Sequence, residues 1–341
     1  MENKQTVLVT AIGSFAADTV IRELKEAGYR VIGSDIYDPK WVAASQDVEA
    51  FYQAPLAKDE KKYIDFIKDI VAKEHVTRIV PLIDVEVDVL NRHRAEIETD
   101  AVRICMSDEE VITTLRDKLL MTKLVAGVIS SIDDPDMKGQ VRTIPTEKAS
   151  EIDFEHVSYP VVLKPVDGRS SSGLYRVYQE DQLGFAFSNI MDPTKLNDTA
   201  LDNYLVQPLI KGNVITVDIV RDREGHVSAT PREELLRTAN GAGLSVRVFR
   251  DPVLEDICKR IADCAGIVGC VNFEFIHGAG SGVYYFIECN PRYSGGVAFT
   301  EMAGVHVVKA SMRIFDGESM GDIGDPREGY MTRKYLEISM S

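Results

Sequence analysis

Two apolar runs, 271–276 and 283–287, joined by the turn Gly278-Ala-Gly-Ser-Gly282, constrain this chain more than any other feature. Such a pair reads as an antiparallel hairpin. Glu274 lies in the first run and Glu288 just beyond the second, in Phe286-Ile-Glu-Cys-Asn-Pro-Arg292. Adjacent strands bring such side chains together on one face. Asn290 and Arg292, at period two from Glu288, share that face. Two carboxylates and an amide oxygen are hard ligands suited to Mg²⁺, with Mn²⁺ as an alternative. Arg292 is placed to clamp a phosphate or acyl-phosphate bidentately. A solvated acidic pair is the competing reading. It is disfavoured because Glu288 follows Val283-Tyr-Tyr-Phe-Ile287, where an unpaired charge is costly.

The N-terminal third has a different rhythm. A β-rich run (6–10), a helix with Val20, Ile21, Leu24 and Ala27 on one face, and a strand (30–35) form a β-α-β unit. A second helix carries Tyr63, Phe66, Ile67, Ile70 and Val71, and a strand over 78–83 follows. Residues 108–124 read as one helix and 127–160 as irregular. Further strands are expected over 159–165, 174–178, 204–207 and 214–220, with an amphipathic helix over 252–264. The expected organisation is a Rossmann-like α/β domain over 1–115, then units over 116–205 and 206–341.

The formal net charge of -15 and pI near 4.9 argue against nucleic acid as a partner. Five cysteines at scattered spacings form no CxxC pair and no zinc pattern, so buried free thiols in a reducing compartment are expected. The first residues run straight into a strand without an apolar leader. No run of about 18 apolar residues occurs. A cytoplasmic protein with no membrane span is expected.

Lys164, inside Val161-Val-Leu-Lys-Pro165, is an odd choice for a structural strand but natural beside a ligand phosphate. Asp167-Gly-Arg-Ser-Ser-Ser-Gly173 follows, and its Gly168, Ser170, Ser171, Ser172 and Gly173 let backbone N–H groups approach phosphate. It is not a Walker A sequence. Lys118 alone reads as a helix-surface lysine. Gln207-Pro-Leu-Ile210 ends a strand at a proline, leaving backbone groups for an adenine edge, although a plain edge strand would read the same. Gly13 lacks the other glycines of G-x-G-x-x-G, which disfavours a dinucleotide site and an oxidoreductase. The histidines form no constellation and no G-x-S-x-G elbow exists, so hydrolase chemistry has no support.

These motifs, in this order, resemble the ATP-grasp superfamily, and within it single-module relatives of the carbamoyl-phosphate synthase large subunit and the pyrrolysine-biosynthesis ligase. The resemblance spans nearly the whole chain, including Val80-Pro-Leu-Ile-Asp84 and Arg116-Asp-Lys118. It implies a pre-ATP-grasp Rossmann-like domain followed by a two-subdomain ATP-grasp fold, of which 116–205 is the small lid part. It implies that Lys118 and Lys164 contact ATP phosphates, that the 167–173 loop closes over them, that residues 207–210 hold adenine, that Glu274, Glu288 and Asn290 hold Mg²⁺, and that Arg292 stabilises the transferring phosphoryl group. Two positions depart from the family pattern. Gln207 stands where Glu is usual, and Val214 where a ribose-binding Glu is frequent. Extra residues around 129–142 have no counterpart.

The implied activity is a carboxylate–amine ligase acting on small molecules through an acyl-phosphate. Asp84 and Glu86, in a loop, with Arg232 and Arg237, are candidates to face the substrates, surface placement being the alternative. The rival functions are a kinase-like phosphotransferase and a non-catalytic nucleotide-binding subunit of a split synthase. A homodimer is the default assembly.

Overall fold

The computed structural model describes residues 5–166, 173–191, 199–238 and 241–340. Among these, five parallel strands, β1 (Thr6–Thr10), β2 (Arg30–Asp35), β3 (Ala50–Gln53), β4 (Val76–Val80) and β5 (Arg103–Ile104), form a sheet of order β3-β2-β1-β4-β5. Every residue of β1 is buried. Val7 and Val9 join the core on one face and Leu8 the core on the other, because a parallel sheet is covered on both sides. The helix Ala17–Glu26 covers one face through Val20, Ile21 and Leu24, and Glu60–Glu74 covers the other through Tyr63, Ile67 and Ile70. Strand order reverses between β1 and β4, and a crevice opens at their C-terminal ends.

The single helix expected over 108–124 is two, Glu109–Arg116 and Lys118–Ser130. Asp117 breaks them apart because its carboxylate caps the second, accepting from Leu119 N at 2.8 Å and Leu120 N at 2.9 Å. The stretch read as irregular is also largely ordered. After the helix Pro135–Gln140 comes β6 (Val141–Thr143), then β7 (Glu147–Lys148). Polar loop composition at 130–136 hid these short elements.

A four-stranded antiparallel sheet, β7-β10-β8-β9, adds β8 (Val161–Pro165), β9 (Tyr175–Val177) and β10 (Tyr204–Pro208). The third sheet has seven strands. They are β6 with β11 (Gly212–Arg221), β12 (Val227–Arg237), β13 (Gly243–Val248), β14 (Gly269–Gly278), β15 (Tyr284–Asn290) and β16 (Gly329–Thr332), in the order β16-β13-β12-β11-β14-β15-β6. The residues around 129–142 thus supply an edge strand, β6, parallel to β15. The segment 118–143, assigned from sequence to the 116–205 unit, packs on this third sheet.

Alternation divides the third sheet into two chemistries. Ile215, Val217 and Ile219 of β11 and Val271, Phe273 and Phe275 of β14 face one core, with Leu254, Ile257 and Ile261 of the helix Pro252–Ala265 and Met121 and Val125 of Lys118–Ser130. Each such large apolar side chain contributes about 1.5–3 kcal/mol on burial. The even-numbered residues face the other way. The strand β15 keeps to this division through a β-bulge. Glu274 pairs with Glu288 but Phe275 pairs with Phe286, so Ile287 is an extra residue. The bulge leaves Phe286 edge-on to Phe273 and Phe275, yet turns Glu288 and Asn290 to the polar face.

Candidate active site

The polar face of the third sheet, the β8–β10 sheet and the crevice of the first sheet enclose a cavity of about 680 Å³. Glu274 and Glu288 stand directly opposite each other on β14 and β15, with 19% and 26% of their side chains exposed. Burial raises the Glu274 carboxyl, Arg237 lowers it, and the facing Glu288 raises it further. Arg237 Nη2 donates to Glu274 Oε2 at 3.3 Å. Asn290 is two residue pairs along on the same face, opposite Asn272, and donates to its Oδ1 at 3.2 Å. Arg292 Nη2 donates to Asp84 Oδ2 at 2.9 Å and lies 3.4 Å from Asn290 Oδ1.

The two lysines approach from across the cavity. Lys118, expected on a helix surface, is 8% exposed, because it opens its helix at the junction Asp117 creates. Its Nζ lies 3.6 Å from Glu288 Oε2 and 3.3 Å from Val166 O. Lys164 on β8 is 7% exposed. Burial pulls its ammonium down to about 8; Glu288 and Glu274 oppose this, and Lys118 adds to it. Residues 207–210 line the same cavity. The strand β10 is interior, not an edge, and Leu209 N is taken by Pro160 O at 2.9 Å. Gln207 is buried, its Nε2 donating to Thr146 Oγ1 at 2.7 Å. Gly168, Ser170, Ser171 and Ser172 lie outside the described residues. Gly173 is described. It has φ +70°, and a Cβ there would sit 2.9 Å from Tyr204 Oη, so a side chain would be both strained and crowded.

The substrate-facing candidates separate. Asp84 and Arg237 line the cavity. The loop expected at Asp84 and Glu86 is the first turn of the helix Asp84–Arg92. Arg232 touches the cavity but is 1% exposed, with its guanidinium spent on Asp218 at 2.5 Å, Ser294 at 2.7 Å, Thr300 at 3.0 Å and Glu234 at 3.3 Å. Sequence reasoning missed Asn272 and Glu234. Period-two alternation from Glu274 and from Arg232 was the signal that would have found them.

Glu86 does not line the cavity. It accepts from Thr10 Oγ1 at 2.5 Å, with the Tyr63 ring beside it, and burial pushes its carboxyl up to about 7 from the ordinary 4.5. The folded chain therefore holds a proton that the unfolded chain releases between these values. Stability contributed by this group falls as pH rises from about 4.5 to about 7 and is flat above. Glu86→Gln is expected to be more stable than the parent at pH 8 by about 3 kcal/mol, a margin that closes toward pH 5. Denaturant melts at both pH values check this; an equal margin at both would overturn it.

Two compact groups of ligand-type side chains lie elsewhere, Glu23/Glu301/His306 and Asp222/Glu224/His226. Both are occupied internally: Glu301 accepts from Val308 N, and Asp222 from His226 N and Met320 N. The cysteines are free. Cys258 and Cys289 are buried as expected, but Cys264 is exposed. Among the described residues no helix is long and apolar enough to cross a membrane.

Residues 7–105 match the family "PylC-like, N-terminal domain", and residues 200–337 match "ATP-grasp in the biosynthetic pathway with Ter operon". The chain belongs to the ATP-grasp superfamily. This ATP-grasp chain is 25% identical over 328 residues to the carbamoyl phosphate synthase large chain of Clostridium botulinum (strain Kyoto / Type A2), covering 91% of this chain and 28% of that one. It spans only 16% of the Clostridium perfringens (strain SM101 / Type A) large chain, to which it is 28% identical over 177 residues. The biotin carboxylase domain of Hydrogenobacter thermophilus 2-oxoglutarate carboxylase, solved with MgADP, ADP and bicarbonate, superposes with a TM-score of 0.73 at 21% identity, covering 96% of this chain and 73% of that one. The fold is therefore the ATP-grasp fold expected, a Rossmann-like unit followed by a four-stranded antiparallel sheet and a seven-stranded, largely antiparallel sheet.

Proposed function

We propose that this ATP-grasp chain is an ATP- and Mg²⁺-dependent ligase that joins a small-molecule carboxylate to an amine through an acyl-phosphate. The observation that carries the reading is the facing pair Glu274 and Glu288, with Asn290 and Arg292 beside it and Lys118 and Lys164 across the cavity.

A divalent cation fits this set. The two carboxylates are like-charged and partly exposed to the cavity, burial and the facing Glu288 raise the Glu274 carboxyl, and the oxygens are hard donors. Glu274, Glu288 and Asn290 would hold Mg²⁺, which when bound neutralises phosphate charge. Lys118 and Lys164 attract the phosphates of ATP, and residues 207–210 and the walls near Val214 hold its base and sugar. A substrate carboxylate oxygen attacks the γ-phosphorus, the bond to the β-phosphate oxygen breaks, and ADP leaves. The amine nitrogen then attacks the acyl carbon, loses a proton, and phosphate departs with the carbon–oxygen electron pair. Arg292 stabilises charge on the phosphoryl oxygens, and Asp84 holds its guanidinium in place. The matched carboxylase domain is a dimer, and a homodimer is the proposed assembly, without nucleic acid.

The test is Mg²⁺-dependent ADP release across the proteinogenic amino acids and simple carboxylates, with hydroxylamine to trap the acyl group as a hydroxamate. Hydroxamate with ADP is the expected result. AMP and pyrophosphate would sink the acyl-phosphate, and a stable phosphorylated product would make the protein a kinase.

A further inference from the structure

The wall of the cavity formed by the first sheet and the β12–β13 side is mostly backbone. It consists of three segments far apart in sequence: Ser14–Ala16, Gly241–Gly243 and Ser294–Gly296. One side chain reaches all three. Arg333 follows β16, and its own N–H donates to Leu244 O at 2.8 Å, so pairing of β16 with β13 delivers it to the wall. Its Nε donates to Gly243 O at 2.9 Å, its Nη1 to Phe15 O at 3.5 Å, and its Nη2 to Gly295 O. The guanidinium plane lies between two rings, 5.1 Å from the centroids of both Phe15 and Phe299. A planar fork with fixed donor directions suits this position; a lysine would satisfy one carbonyl at a time.

The clasp has a consequence for the opposite side of each peptide. In a trans peptide the C=O and the following N–H point in opposite directions. Holding the carbonyls of Phe15 and Gly295 at Arg333 turns the N–H groups of Ala16 and Gly296 away from it. Both residues line the cavity, and among the described residues neither N–H has a hydrogen-bond partner. The Ser14 hydroxyl, on the same wall, also lacks one. These are donors without acceptors, whereas buried backbone N–H groups are as a rule paired. Gly296 cannot be replaced without cost, since a Cβ would lie 2.7 Å from Arg232 Nη2.

We infer that Arg333 is a positioning residue that shapes this wall for an anionic group, a carboxylate, of the non-nucleotide substrate. The guanidinium does not touch the substrate. It fixes three backbone segments so that the amides of Ala16 and Gly296 present a donor surface, while the nucleotide is held elsewhere, by the β8–β10 sheet and the polar face of β14 and β15. The inference rests on the ligase reading above for the identity of the anion, but the clasp itself does not.

The experiment compares the full chain with Arg333→Ala and Arg333→Lys. The probe is whichever amino acid or simple carboxylate gives the most hydroxamate with hydroxylamine in the parent. In Arg333→Ala the KM for that carboxylate is expected to rise about tenfold or more while the KM for ATP moves less than about twofold. Millimolar guanidinium chloride is expected to restore much of the loss, and Arg333→Lys to fall between. Hydrogen exchange of the same proteins is expected to quicken at 14–17, 242–245 and 294–297 in Arg333→Ala and not in β1 or β14. Equal rises in both KM values, or unchanged exchange in the three segments, would overturn the inference and leave the ligase reading standing. Absence of hydroxamate from the parent would overturn the ligase reading and the carboxylate assignment together; the exchange result would then still decide whether Arg333 clasps the wall.

Discussion

Glu288→Ala is expected to abolish nearly all Mg²⁺-dependent ADP release while leaving the fold intact. A charged group aimed at the phosphoryl-transfer centre contributes about 3 kcal/mol or more to the barrier, a loss of ~10²-fold or greater in turnover. Stability is expected to hold, for a reason visible in the pair. Glu288 raises the Glu274 carboxyl, so its removal relieves a like-charge contact. It also releases Lys118, which keeps the carbonyl of Val166 as a partner. The discriminating measurement is ADP release against Mg²⁺ concentration, alongside a thermal melt. Turnover unchanged from the parent would remove Glu288 from the metal site. A collapsed melt would mean the residue is structural and would leave Glu274→Gln as the cleaner variant.

Arg232→Met is expected to act in the reverse manner, costing stability first. Methionine keeps much of the volume but deletes the cation that Asp218 and Glu234 share. Asp218 and Glu234 have 0% and 3% of their side chains exposed. Breaking a buried pair by removing one partner typically costs about 3–5 kcal/mol, because the remaining charge is left in a medium that solvates it poorly. The Asp218 carboxylate would retain Thr300 Oγ1, 2.6 Å away, which softens the loss without replacing the charge. Urea melts of the parent and variant measure the difference. If Arg232→Met melts like the parent but loses activity, Arg232 faces a substrate, as its sequence position first implied. The double variant Arg232→Met with Asp218→Asn is expected to recover part of the stability, since coupled partners are not additive.

The hairpin carrying Glu274 and Glu288 was legible because its information is local. Alternation, an apolar run and a glycine-rich turn act within twenty residues, and the structure pairs the two carboxylates directly. The parallel sheet was legible for the same reason: β1, β2 and the helix Ala17–Glu26 follow simple periodicities. Less legible were the short elements between residues 130 and 150. Their caps and partners, such as β6 against β15, come from far along the chain. The extended helix over 108–124 failed because one aspartate, in favouring a cap, outweighed continuous helical periodicity.

The amino-acid sequence alone determined the chemistry available to this ATP-grasp chain: hard oxygen ligands, an arginine and two lysines, in an order that one fold can gather. The tertiary structure decided which of them meet. The extra residue Ile287 rotates Glu288 from the side that holds Phe286 to the side that holds Glu274. The same long-range packing buries Arg232 among side chains up to 68 residues away and brings Arg333 to a loop 318 residues earlier. A side chain's burial and its partners depend on contacts between segments distant in sequence. No local period encodes those contacts, and they form only when the sheets close on one another.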